Sequence, residues 1–132
     1  VKIDHIGIAV RNLDSALKAY AAIGLHLEAT EKVPSEGVTV AFLRVGGAHL
    51  ELLEPLGPDT FIGRFVEKRG EGMHHLALAV EDILTAMKQA RRNGLAVIDE
   101  EPREGARGRK VAFVHPKSTG GVLLEFVQNP RA

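Results

Sequence analysis

Apolar and polar residues alternate in period two through residues 2–10 (KIDHIGIAV), as in a strand with one face on a core. The period then changes. Leu13, Ala16, Leu17 and Tyr20 form one apolar stripe at helical spacing, behind Asn12, whose side chain can accept from the first open backbone N–H groups. Gly24 supplies the left-handed residue that ends a helix. Strands are predicted over 25–32, 38–44 and 48–53, which makes the order βαβββ.

The same order recurs. Residues 74–95, HHLALAVEDILTAMKQARRNGL, align without a gap on residues 4–25, DHIGIAVRNLDSALKAYAAIGL, so that His75 falls on His5, Ala79 on Ala9, Val80 on Val10 and Gly94 on Gly24. Further on, Val111-Ala112-Phe113 echoes Val40-Ala41-Phe42, and Leu124-Glu125-Phe126 echoes Leu50-Glu51-Leu52, the extra length falling in HPKSTGG. Asp82 takes the cap position, Ile83, Ala86, Met87 and Ala90 make the stripe, and strands are predicted over 96–98, 109–114 and 121–128. A linker helix over 60–68 is expected to bury Phe61, Ile62, Phe65 and Val66. The pattern predicts an α+β fold of two tandem βαβββ units, about 1–56 and 71–132, joined by a helical linker at about 58–70.

Parity along the strands exposes the candidate chemistry. In the first strand Ile6, Ile8 and Val10 share one face, and His5, Gly7 and Ala9 the other; in the repeat, Leu76, Leu78 and Val80 oppose His75, Ala77 and Ala79. Each imidazole therefore stands beside two small residues. Glu51 shares its face with His49 and Leu53, and Glu125 with Leu123 and Val127, so neither has the surroundings of a solvated surface charge. One strand histidine alone is usually a solvated or hydrogen-bonded residue. One His and one Glu per copy, at equivalent positions, is a stronger pattern: pseudo-twofold symmetry would bring two imidazoles and two carboxylates together, a donor set for Co, Ni, Zn, Mn or Fe(II).

Composition narrows the classes. The 132 residues suit one domain, with 45% hydrophobic and 26% charged residues. Lys plus Arg and Asp plus Glu are 17 each, and this balance predicts no nucleic-acid or membrane-surface partner. There is no Cys, which excludes thiolate chemistry. No apolar run approaches a membrane span and the start has no export-signal layout, so a cytoplasmic protein is expected. Open sheet edges predict a homodimer.

The segments IDHIGIAV, EGVTVAFLRVGGAHLELLEPLG, GMHHLALAV and HPKSTGGVLLEF resemble the vicinal oxygen chelate superfamily and, more narrowly, the methylmalonyl-CoA epimerases. The resemblance implies a curled, cup-shaped mixed sheet with helices on the outer face. It also implies one divalent ion per chain, Co2+ first with Zn2+, Mn2+ or Ni2+ as alternatives, held by His5, His75, Glu125 and Glu51. Four protein ligands on an octahedral ion would leave two positions for a substrate with two chelating oxygens. The implied reaction moves the C2 proton of an acyl-CoA, with Glu125 and Glu51 as bases and Lys117 and Ser118 near the coenzyme; Arg107, Arg109 and Lys110 are further candidates for a basic rim. One position departs from the pattern: where some bacterial epimerases carry a catalytic Glu, this chain has Val40. His26, His49 and His115 are expected to be structural or superficial. Glyoxalase I shares the two-His, two-acid pattern but not the HPKSTGG and ELLEPLG segments. An extradiol dioxygenase has no use for a fourth ligand, and a drug-sequestering binder on this fold has no need of a metal.

Overall fold

In the computed structural model, which describes residues 1–131, the chain divides into two compact units, His5–His74 and Val1–Asp4 with the chain from His75 onward. In the first, β1 (Lys2–Ala9) leads to α1 (Leu13–Ala21), β2 (Leu27–Val33), β3 (Val38–Val45), β4 (Ala48–Pro55) and α2 (Phe61–Arg69). The sheet order is β2-β3-β4-β1. Gly46 is left-handed at φ 59 and closes the tight turn that makes β3 and β4 antiparallel neighbours. β1 reaches β4 only after a long excursion through α1, and the two pair in parallel.

The second unit repeats this with β5 (Gly72–Ala79), α3 (Ile83–Arg92), β6 (Arg103–Glu104), β7 (Lys110–Val114) and β8 (Leu124–Gln128), in the order β5-β8-β7-β6. Again the first and last strands, β5 and β8, pair in parallel. Both helices start at the expected caps: Asn12 Oδ1 accepts from the Ser15 N–H at 2.9 Å, and Asp82 Oδ1 from the Leu84 and Thr85 N–H groups at 3.1 and 3.3 Å. Gly24 and Gly94 end them at φ 89 and 88. A second cap comes from the last strand of each unit. The Leu13 N–H donates to Glu54 Oε2 at 2.7 Å and the Ile83 N–H to Gln128 Oε1 at 2.9 Å, so each helix is tied to the strand carrying Glu51 or Glu125.

The helical stripes pack as their periodicity requires. In the first unit Val10, Leu13, Ala41, Leu43 and Leu52 form a buried cluster lined by Ala16, Leu17 and Tyr20. In the second, Ile83, Met87 and Ala112 are joined by Val80, Val97 and Phe126. These residues occupy one face of each sheet, which reserves the other for His5, Glu51, His75 and Glu125.

Three expectations are corrected. Residues 96–98 make only an isolated bridge, Val97 to Val114, and the edge strand β6 is two residues long. β8 starts at Leu124 because Gly120 and Gly121, both left-handed at φ 67 and 96, hold the preceding turn out of the sheet. On α2, Ile62 and Val66 are buried, but Phe61 is 54% exposed and Phe65 only partly covered. Their rings instead meet His74 edge-on, at 5.0 and 4.8 Å between centroids. Among the described residues no helix is long and apolar enough to cross a membrane.

Candidate metal centre and active site

Register places the first histidine–carboxylate pair. On β1, Gly7 lies opposite Glu51 of β4, so His5 is diagonal to Glu51 across a residue with no side chain. Phe42 of β3 opposes Glu51 on its other flank. His5 Nδ1 lies 3.0 Å from Glu51 Oε2, and the two side chains are 2% and 5% exposed.

The second unit builds an equivalent pair. Ala77 of β5 opposes Glu125 of β8, His75 is diagonal to it, and Phe113 of β7 stands opposite Glu125. His75 Nε2 is 3.4 Å from Glu125 Oε1, with both side chains buried. The His75 and Phe113 rings meet edge to face at 5.7 Å.

Each pair has the donor types and the spacing of neighbouring metal ligands. An imidazole and a carboxylate buried together are costly unless they satisfy one another or share a cation. Adjacent ligands on an ion with bonds near 2.1 Å stand about 3 Å apart, the spacing of these donors. Small residues flank each pair: Gly7 is buried beside Glu51, and Ala9 and Ala77 are 0% exposed.

His74 and His75 take opposite faces of β5, as strand parity requires. His74 stays with the Phe61 and Phe65 rings. Burial there, reinforced by the Arg69 charge, pushes its pKa down to about 4. The unfolded chain takes up this proton near the ordinary histidine value of 6.5 and the folded chain only near 4. The stabilisation is therefore whole above pH 6.5 and declines as pH falls toward 4. In urea titrations of chelated protein over that range, His74→Leu is expected to flatten the fall of the midpoint seen for the wild type. An unchanged slope would place the acid sensitivity elsewhere.

The remaining candidate side chains take defined places. Arg109 is no rim residue. It is 6% exposed, its Nη1 donates to Asp4 Oδ2 at 2.9 Å and its Nε to the Ala106 carbonyl at 2.8 Å. Ser118 Oγ accepts from the Ala96 N–H at 2.9 Å, and the Lys117 N–H donates to His115 Nδ1 at 3.0 Å, which fixes the HPKSTGG turn and leaves the Lys117 side chain exposed. His49 Nε2 meets Glu28 Oε1 at 3.0 Å, and Glu28 also accepts from Arg44 Nε at 2.9 Å. A bulge in the pairing of β2 with β3 falls between Leu27 and Ala29, the position of Glu28. Val40 is 2% exposed and carries no acid, but its cross-strand partner on β2 is Glu31. The aromatic flanks Phe42 and Phe113 were visible in the sequence as the repeated Val-Ala-Phe; that they would stand opposite Glu51 and Glu125 was not.

Comparison with known proteins gives the family. Residues 4–113 match the Glyoxalase/Bleomycin resistance protein/Dioxygenase superfamily. The mitochondrial methylmalonyl-CoA epimerase of Homo sapiens is 37% identical over 129 residues, 96% of this chain and 73% of that one. A solved structure of a hypothetical protein from Bacillus halodurans is 45% identical, covers 99% of this chain and 96% of its own, and has a TM-score of 0.97. A variant of Streptomyces coelicolor methylmalonyl-CoA epimerase, in complex with 2-nitronate-propionyl-CoA, is 38% identical with a TM-score of 0.93, covering 98% of this chain and 94% of that one. This chain therefore belongs to the Glyoxalase/Bleomycin resistance protein/Dioxygenase superfamily and, within it, to the methylmalonyl-CoA epimerase family.

Proposed function

We propose that this chain is an isomerase that interconverts the R and S forms of methylmalonyl-CoA at C2, with His5, Glu51, His75 and Glu125 together holding one divalent ion. The observation that carries the reading is the buried His–Glu pair repeated in each unit, at 3.0 and 3.4 Å, in a chain of this family. Imidazole nitrogen and carboxylate oxygen suit divalent ions of this class, and the resemblance to the epimerases puts Co2+ first, with Zn2+, Mn2+ and Ni2+ as alternatives. When bound, such an ion supplies positive charge against the negative charge that develops on the thioester oxygen as C2 loses its proton.

The side chains divide the remaining work. The C2–H bond breaks toward a carboxylate, its electron pair is left on the planar enolate of the substrate, and a proton returns to C2 from the opposite side. Glu125 is assigned the proton on one face and Glu51 the proton on the other. Phe113, Ala77 and Val127 wall the Glu125 half-site with apolar surface. The nitronate bound by the Streptomyces relative is likewise a planar anion next to a thioester, which supports an enolate route. Lys117 and Ser118 are assigned to the coenzyme side, and the protein to a homodimer in the cytoplasm.

The test is conversion of a single C2 epimer followed by chiral separation. Equilibration that stops on chelation and resumes with added Co2+ is the expected result; equilibration no faster than the spontaneous rate would overturn the proposal.

A further inference from the structure

Arg103 stands on the same face of the second unit's sheet as His75 and Glu125. It opposes Val111 across the β6–β7 pair; Val111 and Phe113 share a face of β7; Phe113 opposes Glu125; and Glu125 opposes Ala77, two residues from His75. The Arg103 guanidinium carbon lies 5.5 Å from the centre of the Phe113 ring, which also meets the His75 imidazole edge to face. One aromatic ring thus separates this cation from the His75–Glu125 pair.

The guanidinium is fixed and also open to solvent. Its Nε lies 2.7 Å from Asp99 Oδ1, and the side chain is 45% exposed. Asp99 is held in turn, because its Oδ2 accepts from the Phe113 N–H at 2.8 Å. The same carboxylate therefore grips both the arginine and the backbone of the residue whose ring the arginine covers. A surface arginine kept only for solubility needs neither constraint. Nor is the cation inherited from the repeat: at the equivalent place in the first unit Val40 is opposed by Glu31, an acid.

We propose that Arg103 is a specificity-determining residue that binds an oxyanion of the acyl-CoA substrate, either the free carboxylate of its acyl group or a phosphate of the coenzyme. The inference rests on the epimerase reading above. A guanidinium fixed at Nε and stacked on a ring is pre-organised for a planar, charge-assisted hydrogen bond, and little side-chain entropy is lost when the anion arrives.

The experiment is steady-state epimerisation by wild type, Arg103→Met and Arg103→Lys, with melting temperatures measured alongside. Arg103→Met is expected to raise KM for methylmalonyl-CoA about 10–100-fold, with kcat within about twofold and the melting temperature unchanged. Arg103→Lys, which keeps the charge without the fork, is expected to fall between. Two further ligands identify the anion. Methylmalonyl-pantetheine has the carboxylate and no phosphate, while propionyl-CoA, used as a competitive inhibitor, has the phosphates and no carboxylate. Weakening confined to the first assigns Arg103 to the carboxylate, and weakening confined to the second assigns it to a phosphate. Unchanged KM and inhibition constants in Arg103→Met, or a lowered melting temperature and kcat with KM unchanged, would overturn the proposal, because Arg103 would then serve only to pin residues 99–104. A wild type that epimerises normally while the variant binds unchanged refutes this inference alone; a wild type without epimerase activity refutes the parent reading and this inference with it.

Discussion

Glu125→Gln is expected to abolish most epimerisation while leaving the fold and much of the bound metal in place. A carboxylate responsible for a proton transfer contributes about 10²–10⁴-fold to a rate, and the loss of kcat should fall in that range. Gln keeps an oxygen that can ligate and keeps the length of the side chain, so packing against Ala77 and Phe113, its register partners, is undisturbed. Melting temperature and metal content separate the two roles. A variant that loses rate and keeps metal marks Glu125 as the base. Retained full activity would sink the proton-transfer scheme. Glu51→Gln gives the complementary result: if Glu51 serves the other face, epimerisation collapses while C2 exchange from one epimer persists, and if it is only a ligand the two fall slightly and together.

His75→Ala and His74→Ala, adjacent in sequence, are expected to behave in opposite ways. His75 lies 3.4 Å from Glu125 and belongs to the candidate metal centre, whereas His74 meets the Phe61 and Phe65 rings edge-on. Loss of a direct ligand should exceed the roughly 10–100-fold reduction in metal affinity typical of removing an outer partner. Purified His75→Ala should therefore retain little metal and little activity. His74→Ala should retain both and lose stability, since each edge-on aromatic contact contributes about 0.5–1.5 kcal/mol. Metal analysis of the two purified variants checks this directly. Equal losses of metal would mean that the face assignment of β5 does not govern ligation.

The contrast between these histidines is legible in the sequence because it depends only on strand parity. The same holds for the caps Asn12 and Asp82, for the helical stripes, and for Glu51 and Glu125, whose face-mates Leu53, Leu123 and Val127 mark them as buried. All of these follow from local period and from the duplication. What escaped depends on contacts between distant residues. Arg109 reads as one more charge in a basic loop until the fold brings it to Asp4, 105 positions away, where it is buried. Phe61 satisfies a helical stripe yet stays exposed, because its partner is the imidazole of His74 and not the core. The strand expected at 96–98 shrinks to one bridge because Asp99 turns to meet the Phe113 N–H instead of continuing the ladder. Arg103 illustrates the same limit: only the pairing of β6 with β7 puts it on the face that carries Glu125.

Isotope exchange decides whether this chain moves the C2 proton of methylmalonyl-CoA with the help of a divalent ion held by the His–Glu pairs. Methylmalonyl-CoA of one configuration is incubated with the protein in deuterated water, and deuterium at C2 is followed by NMR in the protein as purified, after chelation, and after Co2+ is restored. Rapid incorporation, its loss on chelation, and its recovery with the metal are expected. Incorporation that is absent throughout, or that chelation leaves untouched, would contradict it.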